Sequence, residues 1–331
     1  MFNKSRLHIA IIGAGNIGSR HLQGLTRIDR GIDISVIDPS MSSLETAKNR
    51  ILEVSGNHWL DAISYEQSID QLTEDVDLAI IATNADVRRM VIEELLAKVD
   101  VKYLLLEKVV FQSVEDFQEM LLLLNKKQIK AWVNFPRRIA SFYRALKSSM
   151  CSNNKIFLRL EEGSLGGIIQ SGVHFLDLLT FLTGENHLAI DVSGLGTVIN
   201  KSKRGDYIDL TGVLRAKTVN GSEATIIEYQ ENRAPDIISI FSRAERFLIS
   251  EVLGRAFCAK ENNDWKWKEV QFSMPYQSEI THLAVQQIFD TGKSDLTTLE
   301  ESFSLHKPML KAFNEHLTRI TGKKSTRCPI T

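Results

Sequence analysis

The sequence predicts an α/β chain in two parts: a doubly wound parallel sheet over residues 1–135, then an α+β domain with a mostly antiparallel sheet over 136–331. Three observations carry this. The first part alternates continuous apolar runs with longer helical patterns, as strands covered on both faces by helices require. After Pro136 the apolar runs lengthen and alternate in polarity, which fits a sheet with one packed face and one free face. The 331 residues, 43% hydrophobic and 24% charged, are enough for two cores.

In order, the strands of the first part are LHIAII (7–12), ISVID (34–38), LAIIAT (78–83), VKYLLLE (101–107) and KAWVNF (130–135). Helices are expected near 16–28, 41–55, 86–98 and 113–127; the last opens with Ser113 and acidic residues and closes on lysines, as capping and the helix dipole favour. In the second part SFYRALKSSM reads as a helix running to Asn153 and Asn154, and a further helix is expected from Ile168. The strands there are KIFLRLEE, YIDLTGVLRAKTV, EATIIEYQ, RFLISEVL and WKWKEVQF, with turns at Asn220-Gly221 and at ENND (261–264). Helices near 277–291 and 298–320 close the pattern. The strands between about 208 and 272 are expected to present Ile226, Tyr229, Ile238 and Phe241 on a face that no helix covers, which predicts a homo-oligomer, dimer or tetramer, formed through that sheet.

Composition excludes several classes. A net charge of −1 gives no field for nucleic acid or an anionic membrane. Cys151, Cys258 and Cys328 are far apart and without CxxC spacing, so neither a disulfide framework nor a zinc site is indicated. The segment MFNKSRLHIAIIGAG has no cleavage pattern, and the sequence has no apolar run of about 18 residues. A reducing cytoplasm is the expected setting.

The chemistry begins at GAGNIG, directly after the first strand. Gly13 permits a tight turn, Gly15 lets backbone approach a pyrophosphate and Gly18 allows close helix packing, while the helix N-terminus favours the phosphate charge. Asp38 ends the next strand, 20 residues after Gly18, where an acid can hold the adenosine ribose hydroxyls. Gly13, Gly15, Asn16, Ile17, Gly18 and Asp38 are therefore read as a dinucleotide site, with a methyltransferase-type nucleotide site as the alternative. No arginine near VIDPS invites a 2′-phosphate, so NAD is expected. Thr83 and Asn84, in IATN, end another strand and either touch the cofactor or merely cap the next helix. Glu107 and Lys108, in LLLEKVVF, reach the same edge and are counted with the cofactor site; alternation points them to opposite faces. In GGIIQSGVHFLDLLTFLTG (166–184), Gln170, His174 and Asp177 form one polar stripe on an apolar helix. His174 taken alone fits a core histidine better, and HxxD lacks a third ligand for a metal.

Taken together, GAGNIGSRHLQGL, IATN, LLLEKVV and GGIIQSGVHFLDLL resemble the Gfo/Idh/MocA oxidoreductases over the whole chain. The resemblance implies an N-terminal Rossmann domain and a C-terminal α+β domain with an open, mostly antiparallel sheet. It also implies a nicotinamide cofactor that exchanges hydride with a sugar or cyclitol hydroxyl or ketone, and the expected substrate is a sugar, sugar acid or nucleotide sugar. Lys108 falls on the lysine of the family's Glu-Lys-Pro motif, beside the substrate, and is the expected proton-transfer group, assisted by His174. Desolvation and a positively charged nicotinamide would both disfavour its ammonium form, although a strand-end lysine can also simply reach solvent or pair with a carboxylate. Gln170, Asp177 and Arg138 are the candidate substrate-binding residues. Three departures stand out: Val109 replaces the motif's proline, Arg88 replaces a histidine common in the helix after IAT, and Gln170 replaces the Asp that would support His174. These leave a second reading open, a dinucleotide-binding sensor without redox turnover, and a third, a nucleotide-dependent transferase.

Overall fold

The structure, a computed structural model, describes residues 6–54, 62–150, 155–163, 167–202, 205–229 and 234–331. Up to the second domain the elements are β1 (Leu7–Ile12), α1 (Asn16–Leu25), β2 (Ile32–Ile37), α2 (Met41–Leu52), β3 (Ile63–Glu66), β4 (Val76–Ile81), α3 (Arg88–Lys98), β5 (Val101–Leu106), α4 (Val114–Lys126) and β6 (Lys130–Val133). Next come α5 (Ser141–Ser149), β7 (Phe157–Gly163), α6 (Ile168–Thr183), β8 (Leu188–Leu195), β9 (Asn200–Lys201), β10 (Ile208–Asp209), β11 (Gly212–Thr218) and β12 (Glu223–Tyr229). The remainder is β13 (Ile237–Phe241), β14 (Glu245–Ser250), β15 (Arg255–Lys260), β16 (Lys268–Val270), α7 (Gln277–Thr291), β17 (Thr297–Thr298) and α8 (Leu299–Thr321).

The chain divides into two compact units. In the first, β3-β2-β1-β4-β5-β6 form the expected parallel sheet of Rossmann order, with β17 added antiparallel beside β6. Its centre is dry: Ile9, Ala10 and Ile11, Val36 and Ile37, and Leu78, Ala79 and Ile80 are buried, so each central strand is apolar on both faces. Strand ends stay in step, because Ala82 donates to the Ile12 carbonyl, Glu107 to Ile81 and Asn134 to Leu106. Glycine turns, Asp38, Thr83 and Lys108 thereby reach one edge. β3 is a four-residue strand whose ISYE pattern carries little apolar signal, and the sequence reading does not contain it. The unit also includes Pro275–Leu299, which a boundary at 135/136 assigns to the other domain: α7 packs along α1, where a Cβ on Gly24 would come within 2.7 Å of Thr281.

The second unit holds the sheet β16-β15-β14-β13-β7-β12-β11-β8, antiparallel except between β7 and β12. The turns at Asn220-Gly221 and Glu261–Asp264 join β11 to β12 and β15 to β16, as expected; Gly221 has φ 84°. β8, β13 and β15 lie outside the strands read from sequence, and YIDLTGVLRAKTV splits into β10 and β11 at Gly212, whose φ is 118°. One face packs on α6: a Cβ on Gly172 would lie 3.2 Å from Leu214 and 3.8 Å from Ile226. This corrects the expected outer face. Ile226 and Ile238 are 1% and 0% exposed and belong to the packed side, whereas Tyr229 at 53%, with Ile237 and Phe157 beside the part-exposed Phe241, faces outward. A slip of one residue in counting inverts the face in a period of two. The outer face also carries the ion pairs Arg159–Glu161, Lys217–Glu223 and Arg255–Glu269. No helix among the described residues is long and apolar enough to cross a membrane.

Candidate active site

A cleft of about 540 Å³ opens at the ends of β1, β2 and β4 in the first unit. Gly13, with φ 98°, makes the turn, and a Cβ there would lie 2.9 Å from the Ala82 carbonyl carbon. Gly18 is tighter still, since a Cβ would overlap the Gly13 carbonyl oxygen at 1.8 Å. Gly15 is different: a Cβ built on it meets nothing within 4 Å, so the backbone there borders open space at the N-terminus of α1. That is the space and polarity a pyrophosphate needs.

Asp38 lines the same cleft. Its Oδ2 accepts the Ala14 N–H at 2.7 Å and its Oδ1 the Ser40 N–H at 2.8 Å, which fixes the carboxylate while leaving a lone pair on each oxygen. Thr83 and Asn84 also line the cleft, and Thr83 Oγ1 is buried with no hydrogen-bond partner among the described residues. Apolar walls come from Ile37, Pro39, Ile69, Val87 and Met90. The open glycine, the fixed acid, the unsatisfied hydroxyl and an apolar slot together suit a dinucleotide. Asn16 and Ile17 begin α1 outside this lining, and the Asn16 side chain accepts from Arg50 at 2.9 Å.

At the end of β5 the paired candidates part company. Lys108 is half-buried, and its peptide bond to Val109 is cis. Glu107, expected at the cofactor, is outside the cleft lining; its buried carboxylate accepts from His21 Nε2 at 2.9 Å and Asn134 Nδ2 at 2.6 Å. His21 and Asn134 extend to Thr281 and Gln277 of α7. Burial pushes the Glu107 carboxyl up, but the His21 hydrogen bond and charge, the Asn134 amide and the Lys108 charge outweigh it and hold it below the usual range. Arg88 is buried at the start of α3 and donates to the carbonyls of Thr83, Glu107, Val109 and Val110. Arg138 is buried in the turn after β6.

In the second unit, α6 carries Gln170, His174 and Asp177 on one stripe, as their spacing requires. Gln170 Nε2 donates to Ser202 Oγ at 2.6 Å; Asp177 is 1% exposed, and His174 is half-buried. The start of α6 rests on two buried acids that the sequence reading missed. Glu228 accepts the Gly167 N–H at 2.9 Å, and Asp209 accepts the N–H of Leu210 at 2.9 Å and of Ile169 at 3.4 Å. Burial, opposed by those two N–H groups and reinforced by Glu162, raises the Asp209 carboxyl to about 6. A signal existed for Glu228: it follows Ala224 and Ile226 at the inward-facing positions of β12, where a carboxylate is out of place unless it has work.

Residues 7–135 match a family model, GFO_IDH_MocA, described as an oxidoreductase family with an NAD-binding Rossmann fold. No curated protein sequence matches the chain. Solved structures do, at the level of fold. A Gfo/Idh/MocA family oxidoreductase from Vibrio cholerae has a TM-score of 0.69 at 20% identity, covering 96% of this chain and 100% of that one. UDP-N-acetylglucosamine 3-dehydrogenase GnnA from Acidithiobacillus ferrooxidans gives 0.70 at 14% identity, covering 93% and 96%. A super-repressor mutant of Gal80p from Saccharomyces cerevisiae gives 0.72 at 11%, covering 95% and 96%. The resemblance and the fold class read from the sequence are both borne out.

Proposed function

We propose that the chain is an NAD-dependent dehydrogenase or reductase of CH–OH groups on a sugar, sugar acid or nucleotide sugar, a reading supported by the match of residues 7–135 to the model of an oxidoreductase family with an NAD-binding Rossmann fold. The observation that carries the proposal is the common edge of β1, β4 and β5, which brings the dinucleotide-shaped cleft and Lys108 to neighbouring strand ends. Bound nicotinamide would supply the hydride donor or acceptor. Gly15 and the start of α1 would hold the pyrophosphate, Asp38 the adenosine ribose, and Thr83 Oγ1 a polar group of the cofactor. Asp38 beside Ser43, Gln67 and Ser68, with no Lys or Arg among the described residues that line the cleft, favours NAD over NADP. The Lys108 Nζ would take the hydroxyl proton in oxidation and return it in reduction. His174, Gln170 and Asp177 of the second unit and Arg138 of the first are the proposed substrate-facing groups. The outer face of the second sheet, with Phe157, Tyr229 and Ile237 exposed, is the proposed homo-oligomer surface, and sedimentation at micromolar concentration tests it.

Gln170 favours a second reading, a dinucleotide-binding regulator: an amide bonded to Ser202 exchanges no proton. Absorbance of the reduced nicotinamide, followed across a panel of polyols, sugar acids and nucleotide sugars, separates the two. Turnover with any member, reduced by roughly 10²–10⁴-fold in Lys108→Met while NADH still binds, supports the enzyme. NADH binding without turnover across the panel supports the regulator.

A further inference from the structure

We propose that Arg88 is the positioning residue of Lys108, an inference that rests on reading Lys108 as the proton-transfer group. Arg88 is 1% exposed, and a guanidinium so far from water must be surrounded by acceptors. The two N–H groups of its Nη1 are shared among the carbonyls of Glu107 at 2.6 Å, Val110 at 2.9 Å and Val109, and its Nη2 donates to that of Thr83. Those four acceptors are distributed with a purpose. Glu107 immediately precedes Lys108 and Val109 and Val110 follow it, so the main chain is gripped on both sides of the residue that carries the proton. Thr83 belongs to the cofactor cleft, so the same side chain ties the Lys108 loop to the loop that borders the dinucleotide.

Only arginine fits this task at position 88. Its planar fork presents five N–H donors in fixed, divergent directions, whereas a histidine offers two at most and a lysine a single freely rotating head. Position 88 is where the resemblance leads one to expect histidine, and the segment it grips is where Val109 stands in place of the expected proline. The two departures meet in one set of hydrogen bonds.

The test reads Lys108 without needing the substrate. Lysines of the intact protein are reductively methylated with ¹³C-formaldehyde, and the Lys108 dimethylamine resonance is assigned by its disappearance in Lys108→Met. In Arg88→Gln and Arg88→His the expected result is that this resonance moves to the position of freely exposed lysines and sharpens, while circular dichroism shows the variants still folded at a lowered melting temperature. A Lys108 resonance unchanged in position and width in a folded variant overturns the inference. If both variants lose their fold, Arg88 is a determinant of folding and the positioning role is rejected. Once a substrate is in hand, Arg88→Gln should lower kcat by roughly 10–100-fold, the scale of a small misplacement, and should add little to the loss in Lys108→Met. Additive losses would overturn it as well. If Lys108→Met alone turns over like native, the reading of Lys108 fails instead, and the resonance still reports separately on whether Arg88 holds it.

Discussion

The Glu107 carboxylate accepts a 2.9 Å hydrogen bond from His21 Nε2, and neither side chain is solvated. Because the folded state holds this carboxyl below its ordinary range, the stability it contributes is present above the unfolded value and is lost as pH falls through the folded one. Glu107→Gln should therefore cost about 1.5–3 kcal/mol in urea unfolding at pH 7, with the difference from native shrinking as the medium is acidified below about pH 4. A constant difference across that range would show that shape, not charge, matters at this position.

For Asp38, whose two oxygens are fixed by Ala14 and Ser40, native protein should bind NADH more tightly than NADPH, and Asp38→Ala should narrow the gap. Fluorescence titration with both cofactors checks this. Equal or tighter NADPH binding by native protein would reverse the assignment.

Asp209 works in the opposite sense to Glu107. Its folded value near 6 lies above the unfolded one, so the fold favours the proton; the group's stabilising contribution is full below the unfolded value and is lost as pH rises through about 6. Asp209→Asn keeps an acceptor oxygen for Leu210 and Ile169. It should raise stability by about 1–3 kcal/mol at pH 7.5 and leave it unchanged near pH 4. Thermal unfolding at the two pH values would contradict this if the gain were the same at both.

On α6, His174→Ala should lower turnover and leave NADH affinity nearly unchanged, whereas a core histidine would show as lost stability with normal activity per folded molecule. Gln170→Asp discriminates further. Activity rises if the site merely lacks a charge beside His174, and stays flat or falls if the amide bonded to Ser202 positions substrate.

Cys258 and Cys328 are buried, and burial raises both thiols, that of Cys328 to about 12. Neither should react with a thiol-specific disulfide reagent in native protein at pH 8, and both should react in urea. Mass mapping of the labelled peptides reads the result.

What the sequence disclosed followed from strong local constraint. The glycines of GAGNIG and the apolar strands of the first sheet each have one backbone solution, and Asp38, Thr83 and Asn84 inherit their places from strand ends. The C-terminal sheet was legible only in kind, because a face with period two depends on where each strand begins, and Ile226 and Ile238 fell on the other side. Glu228 carries its signal in the alternation of β12, whereas Asp209 ends a two-residue strand that offers no alternation to count. Glu107 is legible as a strand-end residue, but its partners are not, since His21 and Asn134 come to it from distant parts of the chain.

The return of residues 275–299 to the first unit bears on how the protein is made. On the ribosome, the glycine turn and all six parallel strands emerge early, yet the nascent sheet has no partner for the outer side of β6, and α1 has no α7 to lie against, until the intervening sheet has been synthesised. The cofactor domain is thus the first begun and among the last completed. A truncation ending near residue 139 should expose the faces of Gly24 and Trp132 and require chaperone protection that full-length translation does not.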